Sequence, residues 1–94
     1  MDLDAFSAAL RKDGYLDIET KTIEADKVVG LHSHPFDVRA VVLAGSARIA
    51  CGNEPAREFK PGDIVEVAAG VEHTEHYGPQ GYTFLVGRRH PASA

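Results

Sequence analysis

The sequence predicts one all-β domain, an antiparallel barrel or sandwich, preceded by a short N-terminal helix. Three observations predict it. From Tyr15 onward, short runs rich in Val, Ile, Thr, Tyr and Phe recur at regular spacing. Gly- and Pro-bearing breaks separate them, and the helical stripe lies ahead of Gly14. A chain of 94 residues makes one small domain, near the lower end of sizes that bury a useful core. It divides into a helical arm over 1–14 and a barrel over 15–90.

Taken in order, Asp4 is suited to cap a helix through Ala5 to Lys12, with Phe6, Ala9 and Leu10 on one stripe and Asp13-Gly14 as its stop. So short a helix must dock on the body or on a second subunit. Tyr15 to Glu24 reads as a strand through Ile18, Thr20 and Thr22. Val28 to His34 reads as a second strand and Val38 to Leu43 as a third. Ala44-Gly45-Ser46 then predicts a turn into a fourth, Ala47 to Cys51. After the break at Gly52-Asn53-Glu54-Pro55, Arg57 to Lys60 and Ile64 to Val67 follow, divided by Pro61-Gly62-Asp63. His73 to Tyr77 and Tyr82 to Val86 are read as a hairpin closed by Gly78-Pro79-Gln80-Gly81.

The net charge of −4 disfavours nucleic acid, and the short arm has no basic face with which to read it. No window approaches the roughly 18 apolar residues that span a bilayer. Met1 leads into Asp2 and Asp4 without a basic, then apolar, leader, so a secretory signal is not expected. With Cys51 as the single cysteine no intrachain disulfide forms, and a reducing, cytoplasmic setting is the expectation. Cys51 reads as a small packing residue, since no charged neighbour in sequence would activate its thiol.

The chemistry concentrates in Gly30-Leu31-His32-Ser33-His34 and in His73. His32 and His34 stand at i and i+2 of an extended segment and so point to one side. Neutral imidazole is the commonest ligand for divalent transition metals. His73, from another strand, would complete a three-nitrogen set with positions open to water or substrate.

Around these histidines, Gly30 through Gly45 resembles the first motif of the cupin superfamily, a His-x-His pair followed by an acidic residue and a turn glycine. Gly62 through Tyr77 resembles the second, with Pro61-Gly62-Asp63 at its start and His73 at its histidine. The motifs and the strand between them cover roughly half the chain. The resemblance is to small single-domain cupins of the type-2 conserved-barrel group. It implies a double-stranded β-helix (jelly-roll) barrel holding a central metal on His32, His34 and His73.

Several positions depart from that pattern. The family's acidic ligand falls on Val38, four residues after His34 and seven before Gly45, and valine coordinates nothing. Ala68 and Tyr77 replace the second motif's proline and asparagine. Glu75, two residues after His73 and on its face, is the first candidate for a fourth ligand. Asp37 is the second, although strand parity turns it away unless a bulge intervenes. His76 has the wrong parity. A plain three-histidine site remains open as well, and the resemblance allows it: some cupin dioxygenases, cysteine dioxygenase among them, work with three histidines. Such donors suit one divalent iron, nickel, copper or zinc ion better than magnesium or calcium.

The predicted hairpin would pair Tyr77 with Tyr82, Glu75 with Phe84 and His73 with Val86. Val38, Ala40, Val42, Phe84 and Val86 would then line an apolar cup with the two tyrosines at one end, suited to a small ligand. Asp37 and Arg39, at i and i+2, are expected to form a surface ion pair. Arg88, Arg89 and His90 read as a solvated basic cluster, with steering of an anionic ligand as the alternative. Val41 and Leu43 face outward and need cover from the helix or from a homodimer partner. Two functions stay open. One is a metal-dependent enzyme, dioxygenase- or isomerase-like by resemblance, acting on a small polar organic molecule; the absence of a dedicated general base weighs against an isomerase. The other is a non-catalytic module that binds or senses a small ligand. A metal-free relic is the third and plainest possibility.

Overall fold

The computed structural model describes residues 2–91. Helix α1 spans Leu3–Lys12, two residues longer at its start than the sequence predicts. Asp2, not Asp4, is the cap: its carboxylate accepts the Ala5 N–H at 3.0 Å. Asp4 instead lies in the first turn, and Arg11 and Lys12 in the last, each complementing the helix dipole. Both aspartates suit a helix start, so sequence alone does not choose between them. The Tyr15 N–H donates to the Leu10 carbonyl at 2.8 Å and turns the chain into the sheet.

Six strands follow: β1 Leu16–Ile23, β2 Val28–His32, β3 Asp37–Cys51, β4 Arg57–Phe59, β5 Ile64–Val67 and β6 His73–Arg89. All pairings are antiparallel. β6 carries β1, β2 and β3, and β3 in turn carries β4 and β5. Among the described residues no helix is long and apolar enough to cross a membrane.

The long strands depart from the sequence reading. Where a turn was expected at Ala44-Gly45-Ser46, β3 runs on, with bulges between Val42 and Ala44 and between Gly45 and Ala47. Where a hairpin was expected at Gly78 to Gly81, β6 also runs on. Tyr77 pairs with Ala47 and Tyr82 with Gly45, so the predicted Tyr77–Tyr82, Glu75–Phe84 and His73–Val86 pairings do not exist. The glycines serve close approach instead of reversal. Gly45 has φ of +76°, and a Cβ there would collide with the Gly81 carbonyl. A Cβ at Gly78 would collide with the Ser46 hydroxyl.

Val42, Ala47, Ile49, Phe59, Val65, Val67, Tyr77 and Tyr82 form the interior core. The other face of β3 and β6 is covered by the arm. Leu10, Tyr15 and Ile18 pack against Gly87, and Val41, on that same face, is fully buried. Cover for Val41 therefore comes from within the chain.

A polar clamp joins this face to the strand ends. Arg89 donates to Asp37 from Nε at 3.0 Å and to the Asp13 carbonyl from Nη1 at 3.1 Å. The other Asp37 oxygen accepts the Ala69 N–H at 2.8 Å. Arg39 pairs with Asp13 and Glu66, so the expected Asp37–Arg39 pair is not formed. Both guanidiniums lie on the Tyr15 ring, at 4.6 and 4.7 Å. The Ala69 N–H, and then Arg89, hold the Asp37 carboxyl below its ordinary value of 3.8. A lowered folded-state pKa contributes stability above the unfolded value and loses it as pH falls through the folded one. Thermal melts from pH 6 down to about pH 2 should therefore show an acid-linked loss that is shallower in Asp37→Asn. Parallel pH profiles for the two proteins would remove Asp37 from that linkage.

Candidate metal centre

Two strands and one loop assemble the site. His32 ends β2 and His73 begins β6, and the two are direct cross-strand partners with ring centroids 4.1 Å apart. His34 lies just beyond β2, where its carbonyl accepts the Gly70 N–H at 2.8 Å. That bond carries its ring to 5.1 Å from His32 and 5.2 Å from His73. One ring nitrogen from each of His32, His34 and His73 lies within 4.8 Å of the others, so the group can hold a metal ion.

The hydrogen bonds select the tautomer. His32 Nδ1 lies 2.7 Å from the Gly30 carbonyl, and His73 Nδ1 lies 3.1 Å from the Val71 carbonyl. A carbonyl oxygen only accepts, so each Nδ1 carries a proton, and Nε2 is the nitrogen left to face a metal. Burial, followed by the neighbouring His73 and His32 rings, pushes the His34 pKa below its ordinary value of 6.5. A lowered pKa favours the neutral imidazole, the form that coordinates a metal.

Glu75 joins the cluster. Its two carboxylate oxygens each lie 3.7 Å from a histidine Nε2, one on His73 and the other on His32. Strand period two brings it there, as the sequence suggests. Asp37 lies elsewhere, with both oxygens committed to Arg89 and the Ala69 N–H. His76 is exposed.

Beneath the histidines is a cavity of about 60 Å³. His34, His73, Glu75, Tyr77 and Tyr82 form its polar wall, and Val38, Ala40, Ile49, Val65, Val67 and Phe84 its apolar wall. Two expected residues are missing from it. Val42 packs in the core cluster beside the β3 bulge, and Val86, paired with Ala40, is buried without lining the cavity. Ile49, Val65 and Val67 replace them, because β5 pairs Val67 with Val38 and Val65 with Ala40. Their period-two alternation was the available signal, but the partner strand was not identifiable. Burial, together with the Glu75 charge, pushes the Tyr77 and Tyr82 pKa values far up, so both phenols stay protonated donors. Burial likewise pushes the Cys51 thiol up, away from nucleophilic character.

No protein-family model and no curated protein matches the sequence. Solved structures do match it. A cupin superfamily protein from Desulfitobacterium hafniense DCB-2 is 19% identical, with a TM-score of 0.67 over 79% of this chain and 66% of its own. A protein with a double-stranded β-helix domain from Klebsiella pneumoniae is 23% identical, with a TM-score of 0.64 over 77% of this chain and 64% of its own. The DMSP lyase DddQ from Ruegeria pomeroyi DSS-3 is 25% identical, with a TM-score of 0.70 over 82% of this chain and 39% of its own. The chain thus spans about two thirds of the first two and two fifths of the third. With its antiparallel strands, N-terminal helix and these neighbours, the chain has the fold of the small cupins, a double-stranded β-helix barrel.

Proposed function

We propose that this chain is a metal-binding cupin in which His32, His34, His73 and Glu75 hold one divalent transition metal beside a cavity for a small polar organic molecule. One observation carries the reading: both Nδ1–H groups are tied to backbone carbonyls, leaving Nε2 atoms that converge with the Glu75 carboxylate. Glu75 supplies the negative charge that Val38 does not. Three imidazoles and one carboxylate fit iron, nickel, copper or zinc. When bound, such an ion supplies Lewis-acid polarisation of a chelating ligand or, with iron or copper, an oxygen-activating centre.

The chain's own groups do the rest. Tyr77 and Tyr82 are donors for ligand oxygens beside the Glu75 charge. The valines and Phe84 exclude water, and the cavity admits only a few non-hydrogen atoms. The likeness in fold to a DMSP lyase supports a catalytic version of this reading. The commitment of Glu75 to the metal leaves no spare general base in the cavity wall, which favours a binding or sensing module. Turnover separates the two.

Metal uptake tests the proposal. Chelator-stripped protein titrated with nickel or zinc should take up one ion per chain. Glu75→Gln should weaken uptake by about tenfold to a hundredfold. Failure of the parent to bind iron(II), nickel, copper or zinc sinks the proposal, and an unchanged affinity in Glu75→Gln removes that residue from the ligand set.

A further inference from the structure

The position that lacks an acid has a cation across from it. The β3–β6 register pairs Val38 with Arg88. Direct partners in an antiparallel pair send their side chains to one face, with Cβ atoms about 4.5–5.5 Å apart. Val38 lines the cavity, so Arg88 leaves β6 on the cavity face. Its guanidinium lies 4.8 Å over the Phe36 ring, and Phe36 stacks on His34 with centroids 5.0 Å apart and planes 14° apart. The aromatic contact holds the planar fork at the rim of the histidine cluster.

Neighbouring cations are already engaged. Arg39 pairs with Asp13 and Glu66, and Arg89 with Asp37. Arg88 is half-buried and has no ion-pair partner among the described residues. A partly desolvated cation without a counter-ion is unfavourable, and an anion arriving at the rim removes that cost. A divalent ion on three neutral imidazoles and one carboxylate keeps a net positive charge, and Arg88 adds another. The whole mouth therefore selects for negative charge.

We infer that Arg88 anchors the carboxylate of a small organic anion whose other end sits at the His32/His34/His73 centre. The guanidinium fork matches a carboxylate bidentately, which lysine cannot do. The ligand class follows: a short acid carrying a second oxygen donor, with a body small enough for a cavity of about 60 Å³. Because its far end lies on the metal, the anchor rests on the function proposed above.

The test is calorimetric titration of nickel-loaded protein with oxalate, malonate and succinate, which differ in reach. Malonamide serves as the uncharged counterpart of malonate, and inorganic phosphate as the competing oxyanion. At least one dicarboxylate should bind, and Arg88→Met should weaken it by about tenfold or more while nickel affinity stays unchanged. Arg88→Lys should fall between the two, which separates the anchor from a folding defect. Equal dicarboxylate affinity in all three proteins overturns the inference. So does malonamide binding as well as malonate, phosphate binding more tightly than every dicarboxylate, or no dicarboxylate binding at all. If the parent takes up no nickel, the metal reading fails by itself. The same titrations on metal-free parent and Arg88→Met then decide the anchor: an Arg88-dependent loss supports it, and equal or absent binding overturns it.

Discussion

His73→Ala should abolish useful metal uptake and destabilise the fold together, whereas His32→Ala should abolish uptake with little effect on stability. The two residues share one cross-strand pair but differ in burial. His73 is 2% exposed, among the largest fully buried side chains, while His32 is half-buried. Either substitution removes one Nε2 donor from a set of three imidazoles, which should weaken nickel or zinc on the order of a thousandfold. At His73 the change also empties space under β6 and leaves the Val71 carbonyl without its partner. Together these should cost about 2–3 kcal/mol in the metal-free protein. Parallel metal titration and urea unfolding of both variants check this. Retained uptake in either variant would remove that residue from the centre. Equal stability losses would mean that burial does not distinguish the two.

Gly45→Ala should be more damaging than any surface substitution, costing about 3 kcal/mol or more through left-handed strain and steric collision together. Gly45 lies where β3 bends between two bulges, and its missing Cβ lets the Gly81 backbone pass directly above. The obstacle is main chain, so no rotamer change relieves it. Gly52 provides the comparison: its φ is +55°, yet nothing lies within 4 Å of a Cβ built there. Gly52→Ala should therefore show the strain alone, about 1 kcal/mol. Urea midpoints at constant m-value measure both, and a Gly45→Ala midpoint no lower than that of Gly52→Ala would contradict the close approach.

These two sites differ in how much of them could be read in advance. Period two on a strand, together with residue type, puts His32, His34, His73 and Glu75 on one face, and the structure brings those four together. The alternation of Val65 and Val67 was visible too, but not the strand against which they pack. The glycine-bearing breaks at Gly45 and at Gly78 to Gly81 read as reversals in the sequence, yet β3 and β6 run through them. A glycine that permits a bend or a close approach looks locally the same as one that permits a reversal. Tyr77 and Tyr82 still end as ring neighbours at 5.0 Å, yet through the bend of β3 and β6 and not through a hairpin.

Local chemistry thus carried the fold class, the metal-ligand types and the face on which they lie, because side-chain alternation and donor identity are properties of short stretches. Contacts between distant stretches were decided only in three dimensions. Asp37 meets Arg89 and not Arg39, and Arg88 comes to lie opposite Val38. Each depends on antiparallel register over long bulged strands, and a shift of one residue would send every one of those side chains to the opposite face.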